Sequence, residues 1–204
     1  MDRRARAGAL AKAKAKRNLV EPHKPSGPRD APHRIASADR QSYRRAMHIR
    51  DAVVEDAPAA CRVLRRSIAE LCAADHHNDP AILERWLRNK TPENLANWIM
   101  LAGGSILVAV EDNTILAVGG VTNRGEITLN YVAPEARFRG ISRAMLGALE
   151  RRAHERGNAR CVLLSTGTAH RFYQANGYAD DGASEGKFGT AASYPMSKPL
   201  PRDF

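Results

Sequence analysis

The chain has 204 residues, 43% of them apolar, which is enough for one packed domain and short for two. No stretch reaches the roughly 18 uninterrupted apolar residues of a membrane span, and the charged N-terminus lacks the apolar centre of a secretory signal, so a soluble, cytoplasmic protein is expected. The formal net charge of +10 is localised: residues 1–46 hold 13 Lys+Arg against 4 Asp+Glu, leaving 19 against 18 in the rest, which argues against a basic folded domain built to bind nucleic acid.

Residues 1–46 open with RRARAGALAKAKAKR and continue through the polar, Pro-containing EPHKPSGPRDAPHR. This segment offers too little apolar surface to offset the entropy of ordering it, so a disordered basic extension is expected. As a functional element it would be an arm for nucleic acid or an acidic partner; otherwise it is a solvated tail. Met47 opens the first organised segment and would serve as an initiator, so the folded domain is expected over 47–204.

MHIRDA starts that domain as a strand. Glu55–Ala73 then carries Val63, Leu64, Ile68 and Leu71 at helical spacing. Cys61 and Cys72 fall on this predicted helix, roughly 16 Å apart along its axis, too far for a disulfide that needs Cα atoms within about 7 Å. With Cys161 in an apolar run and no CxxC spacing, the three cysteines read as reduced thiols and not as zinc ligands. Asp79-Pro80 and Thr91-Pro92 each place a capping residue before a proline at the first helical position. The first predicts a short helix with Leu83, Trp86 and Leu87, the second one with Leu95, Trp98 and Ile99.

Strand signals follow. Ser105–Val110 and Ile115–Val121, joined by EDNT, predict an antiparallel hairpin, and Glu126–Val132 a third strand entered through Gly125. Pro134 closes that strand; Gly140 opens a helix that runs to about Arg156 and stops at Gly157, with Ala144, Leu146 or Met145, and Leu149 packing on the sheet. Ala159–Leu164 predicts a buried strand, Thr168–Asn176 a short helix stopped by Gly177, and two weaker strands complete the chain, one near Tyr194–Leu200.

Tyr131–Leu149 carries the most chemistry. A strand ends, a turn holds Arg137, Arg139 and Gly140, and an amphipathic helix begins. The first main-chain N–H groups of a helix lack internal partners and lie at the positive end of its dipole, so a diphosphate suits that position. Gly140 lets the main chain approach such a ligand, and Arg137, Arg139 and Arg143 add charge. The alternative is an ordinary turn with solvated arginines.

PEARFRGISRAML resembles the coenzyme A signature of the GNAT N-acetyltransferase superfamily, Arg/Gln-x-x-Gly-x-Gly/Ala, here Arg137-Phe138-Arg139-Gly140-Ile141-Ser142. Ser142 stands where that family prefers Gly or Ala, and Phe138 at a place often taken by Gly. AHRFYQANGY, Ala169–Tyr178, is similar to the family's Ala-x-x-Φ-Tyr-x-x-x-Gly-Φ box, and Thr166 stands where the family commonly has Asn. The resemblance covers about Met47–Leu200. It implies an α/β (α+β) GNAT fold, with a mixed, mostly antiparallel sheet flanked by helices.

For function the resemblance implies acetyl-coenzyme A as co-substrate, no metal, and direct attack by a small-molecule or peptide amine within a ternary complex. Contacts to the coenzyme would come from Tyr131, Val132, Arg137, Phe138, Arg139, Gly140, Ile141, Ser142, Arg143 and Thr166. Tyr173 would stand near the sulfur as the acid, and the N–H groups near Tyr131–Val132 would polarise the carbonyl. Strand alternation puts Glu126, Thr128 and Asn130 on one polar face, so Glu126 is the first candidate for the base, with a water chain as the alternative. The segment Cys72–Asn78, together with Trp98, would overlie the acceptor. His76 and His77 there read as solvated and not as metal ligands, and Asp75 and Asp79 either attract a cationic amine or cap helices. The other reading is a catalytically weak, acyl-coenzyme A-binding sensor module. The oligomeric state is left open, a homodimer included.

Overall fold

The computed structural model describes residues 46–184 and 193–202, so the basic extension expected over residues 1–46 lies outside the described residues apart from Ala46. In chain order the elements are β1 (His48–Asp51), α1 (Ala57–Arg66), α2 (Ala73–His76), α3 (Pro80–Leu87), α4 (Pro92–Met100), β2 (Gly104–Glu111), β3 (Thr114–Thr122) and β4 (Glu126–Val132). They continue with α5 (Ile141–Glu155), β5 (Arg160–Thr166), α6 (Gly167–Gln174), β6 (Ala179–Asp180) and β7 (Ser193–Pro199). Seven strands form one sheet in the order β1-β2-β3-β4-β5-β7-β6. Every neighbouring pair is antiparallel except β4 and β5, which run parallel. This is the mixed, mostly antiparallel sheet that the resemblance implies.

Local chemistry accounts for the boundaries. Asp112 and Asn113 join β2 to β3 with φ 47° and 62°, the left-handed pair that matches the twist of a tight hairpin. The Asp79 carboxylate accepts from the N–H groups of Ala81 and Ile82, and the Thr91 hydroxyl from Asn94, so both predicted caps form. The helix predicted over 55–73 is interrupted. After Arg66 the chain passes through a π turn at Ser67–Leu71 before α2, and this widened turn brings Ser67, Leu71 and Cys72 to the wall of the main cavity.

α5 docks by its apolar face. Ile141, Met145, Leu146, Leu149 and Ala153 are buried, whereas Ala144, expected to pack on the sheet, is exposed. Each buried Leu-sized side chain contributes about 1.5–3 kcal/mol, so the start of this helix is held firmly by the packing of its middle. Gly119 in β3 is the point of closest approach: a Cβ there would sit 2.6 Å from the Met145 sulfur. Lys198 of β7 reaches the buried Glu150 of α5 at 2.8 Å and ties the far end of the sheet to the same helix.

Candidate active site

The site begins with a strand pair that comes apart. β4 and β5 pair only at Glu126↔Val162 and Ile127↔Leu163. Beyond that, β4 stays with β3 while β5 stays with β7 as far as Thr166↔Ser193. From Thr128 onward the two strands diverge, and a cavity of about 430 Å³ fills the split. Its walls are β4, β5, the start of α5, α6 and the π turn.

Main-chain donors face this cavity from two directions. The Ala133 N–H donates to the Leu116 carbonyl at 2.8 Å, so the main chain of Ala133 faces β3. Antiparallel alternation then directs the Val132 N–H into the split and that of Tyr131 toward its partner Val118 in β3. Of the two amides singled out in the sequence, Val132 carries the open one.

The second set lies at the start of α5. Gly140 is its N-cap with φ 76°, and no side chain caps the helix. A Cβ on Gly140 would meet nothing within 4 Å, so the residue borders open space. The uncapped N–H groups of the first turn and the positive helix end therefore face a free volume that suits an anionic group. Arg137 and Arg143 are exposed beside it and line the cavity. Arg139 does not join them: its guanidinium sits 2.7 and 2.8 Å from the two carboxylate oxygens of Glu111.

α6 closes the opposite side. The Thr166 hydroxyl is engaged as its cap, accepting from the Ala169 N–H at 3.3 Å. Tyr173 is buried on this helix and faces the split, where the side-chain amide of Asn130 meets its hydroxyl. Burial pushes the phenol up to about 12, partly opposed by that amide. Burial also pushes the Cys72 thiol in the cavity wall up to about 12, so a thiolate nucleophile is disfavoured there.

Comparison with known proteins bears on this arrangement. The family profile described as "Acetyltransferase (GNAT) domain" matches residues 72–200. The chain belongs to the GNAT acetyltransferase family. Among solved structures, this GNAT domain is similar to a GCN5-related N-acetyltransferase from Rhodopseudomonas palustris (23% identity, TM-score 0.66), covering 77% of this chain and 98% of that one. It is similar to the PaiA N-acetyltransferase from Thermoplasma acidophilum, solved with coenzyme A (23% identity, TM-score 0.64, 76% of this chain and 99% of that one). It is similar also to yncA from Salmonella typhimurium, solved with acetyl-CoA (20% identity, TM-score 0.59, 77% and 95%). At these identities the likeness is one of fold. A sequence comparison with curated proteins gives no match.

Several residues of the GNAT domain lie elsewhere than the sequence suggests. Glu126 is exposed and outside the cavity lining, because it is the first residue of β4 and sits where β4 and β5 are still paired. Trp98 packs against the core beneath Lys90, whose ammonium lies 5.6 Å from the ring, and is not part of the lining. His76 is buried, contrary to the expectation of a solvated side chain; its ring nitrogens meet the Ala69 carbonyl at 3.3 Å and the Asn78 N–H at 3.1 Å. His77 is exposed with φ 52°.

Asn130 and Asp75 gain weight from the structure. Asn130 lines the cavity with its Oδ1 buried and unpartnered, and the signal for it was the polar alternation of β4. Asp75 is buried, one oxygen accepting from the Thr168 N–H at 3.2 Å and the other unpartnered. No helix among the described residues is long and apolar enough to cross a membrane.

Proposed function

We propose that this GNAT domain moves the acetyl group of acetyl-coenzyme A to a primary amine by direct attack within a ternary complex. The carrying observation is the split between β4 and β5, which opens onto the uncapped start of α5 at one side and the buried Tyr173 at the other. The word N-acetyltransferase in the names of the R. palustris and T. acidophilum proteins supports an amine acceptor, and the coenzyme in the second supports the donor.

Acetyl-coenzyme A, when bound, supplies an activated thioester carbonyl and a thiol leaving group. The N–H groups that follow Gly140 would hold its diphosphate, with Arg137 and Arg143 beside them. The Val132 N–H would donate to the carbonyl oxygen as negative charge develops there. Tyr173 keeps its proton at any working pH and would donate it in a hydrogen bond to the sulfur. Complete transfer from a phenol at about 12 to a thiolate of ordinary pKa, about 8.5, would be uphill by roughly 5 kcal/mol, so solvent finishes that step. The neutral thiol of Cys72 supports transfer without a covalent enzyme intermediate.

No Asp or Glu is found among the described residues that line the cavity. The amine therefore loses its proton to a water chain, and Glu126 takes no part. The same observation favours the second reading, a sensor that binds acyl-coenzyme A and turns it over weakly. Thiol release from acetyl-coenzyme A, measured against a panel of primary amines, separates the two. The enzyme reading expects amine-dependent release, unchanged within about threefold in Glu126→Gln. Coenzyme A that binds without any amine-dependent release would leave the sensor.

A further inference from the structure

Phe138 breaks two local rules at once. Its φ is 61°, in the left-handed region that glycine enters freely and a bulky L-residue enters only under strain. Its ring is also 94% exposed, so the chain gains almost no apolar burial from carrying it. The contact it does make is with Arg137, whose guanidinium lies 4.6 Å from the ring centroid. A strained and bare aromatic is the kind of outlier from which an inference toward a ligand is justified.

Two further facts limit what the ligand can be. Phe138 lines the mouth of the cavity, two residues before the Gly140 cap. Its chain neighbours Glu135, Arg137 and Arg139 are charged and exposed, so Phe138 is the single large apolar side chain of this turn. A protein interface needs a broad apolar centre of many side chains, which this lip does not offer. One flat heteroaromatic base fits it.

We propose that Phe138 is a stacking platform for the purine base of the nucleotide-bearing ligand, backed by the Arg137 guanidinium on the ring's other face. The inference rests on the coenzyme reading above and deepens it. A ligand held by its diphosphate at the start of α5 carries its base one ribose away, within reach of this lip. Aromatic stacking is tolerant of base identity, because every base has a π face, so the platform supplies affinity more than selectivity. The strain at residue 138 is then offset only when the base is in place.

Calorimetry with coenzyme A, and fluorescence with its 1,N6-ethenoadenine analogue, test this in the full chain. Phe138→Ala is expected to weaken coenzyme A binding by about 5- to 10-fold, the lower end of what base stacking provides, while Phe138→Trp binds at least as well as the parent. Ethenoadenine emission is expected to be quenched on binding the parent and to recover in bound Phe138→Ala. Phe138→Ala binding within twofold of the parent overturns the platform, and so does weaker binding with the quench intact. A parent protein that binds no coenzyme A overturns the coenzyme reading itself. A parent that binds it while Phe138→Ala is indifferent removes the platform alone.

Discussion

The Asp75 carboxylate accepts the main-chain N–H of Thr168 at 3.2 Å, joining α2 to the first turn of α6, the helix that carries Tyr173. Asp75 is 2% exposed, so losing its oxygen leaves a buried donor unpaired. Asp75→Ala is expected to lower stability by about 1–3 kcal/mol and to reduce thiol release by loosening α6. Asp75→Asn keeps an acceptor for Thr168 and loses only the charge at the helix start, for about 0.3–1 kcal/mol. Chemical denaturation of the two variants gives the ranking. An Asn variant as unstable as the Ala variant would mean that the bond to Thr168 is not what holds the elements together.

In its proposed role as hydrogen-bond donor to the sulfur, Tyr173 acts from a buried position, where its proton is held more tightly than in water. Removing the hydroxyl should therefore act on turnover and not on assembly of the site. Tyr173→Phe is expected to lower kcat by roughly 10- to 100-fold, at the modest end for acid catalysis because the proton is shared and not fully transferred. Coenzyme A affinity by calorimetry should stay within about twofold. Asn130→Ala removes the amide that opposes the burial of the phenol and should lower kcat in the same direction by less. Full activity in Tyr173→Phe strikes the residue from the donor role.

Gly140 separates conformational from electrostatic demands. Its φ of 76° makes any L-residue strained there, by about 1–2 kcal/mol, although a Cβ meets nothing within 4 Å. Gly140→Ala should fold and bind coenzyme A several-fold more weakly. Gly140→Glu should also fold, since space is open and a carboxylate suits a helix start, yet it puts negative charge where the diphosphate is proposed to lie. Calorimetry is expected to find no coenzyme A binding in the Glu variant. Normal binding would move the diphosphate site away from α5.

The sequence carried the elements better than their meetings. Caps, prolines and left-handed residues are local signals, and they located α3, α4, the Asp112-Asn113 hairpin and the Gly140 turn. The strand split is a long-range feature: Glu126 and Ile127 pair with Val162 and Leu163 of β5 and the pairing ends there, which local signals along one strand do not show. The same long-range pairing removes Glu126 from the cavity, which alternation along one strand cannot reveal. The π turn at Ser67–Leu71 left no mark, since Ser67 and Ile68 fit a continuous apolar face equally well. Arg139 illustrates the limit for charges: its partner Glu111 ends β2, 28 residues earlier in the chain.

Asp56 makes the pH dependence of folding testable. Its carboxylate accepts from the Arg50 guanidinium at 2.6 and 3.0 Å and from the Val53 N–H at 2.9 Å, fastening β1 to the start of α1. The Arg50 bond, opposed by burial and aided by the Val53 N–H, holds the Asp56 carboxyl below the usual carboxylate range. A depressed folded-state value means that the unfolded chain takes up the proton first. The stabilisation is thus fully present above the unfolded value of about 3.9 and is lost as pH falls through the folded one. The Arg50 side chain is 38% exposed, so solvent screening limits the contribution to about 1 kcal/mol. Thermal melts of the parent and Asp56→Asn should therefore differ at pH 6 and converge as the pH is lowered from about 4 toward 2. A gap that stays constant over that range would assign the loss to the hydrogen bond with Val53 and not to the ion pair.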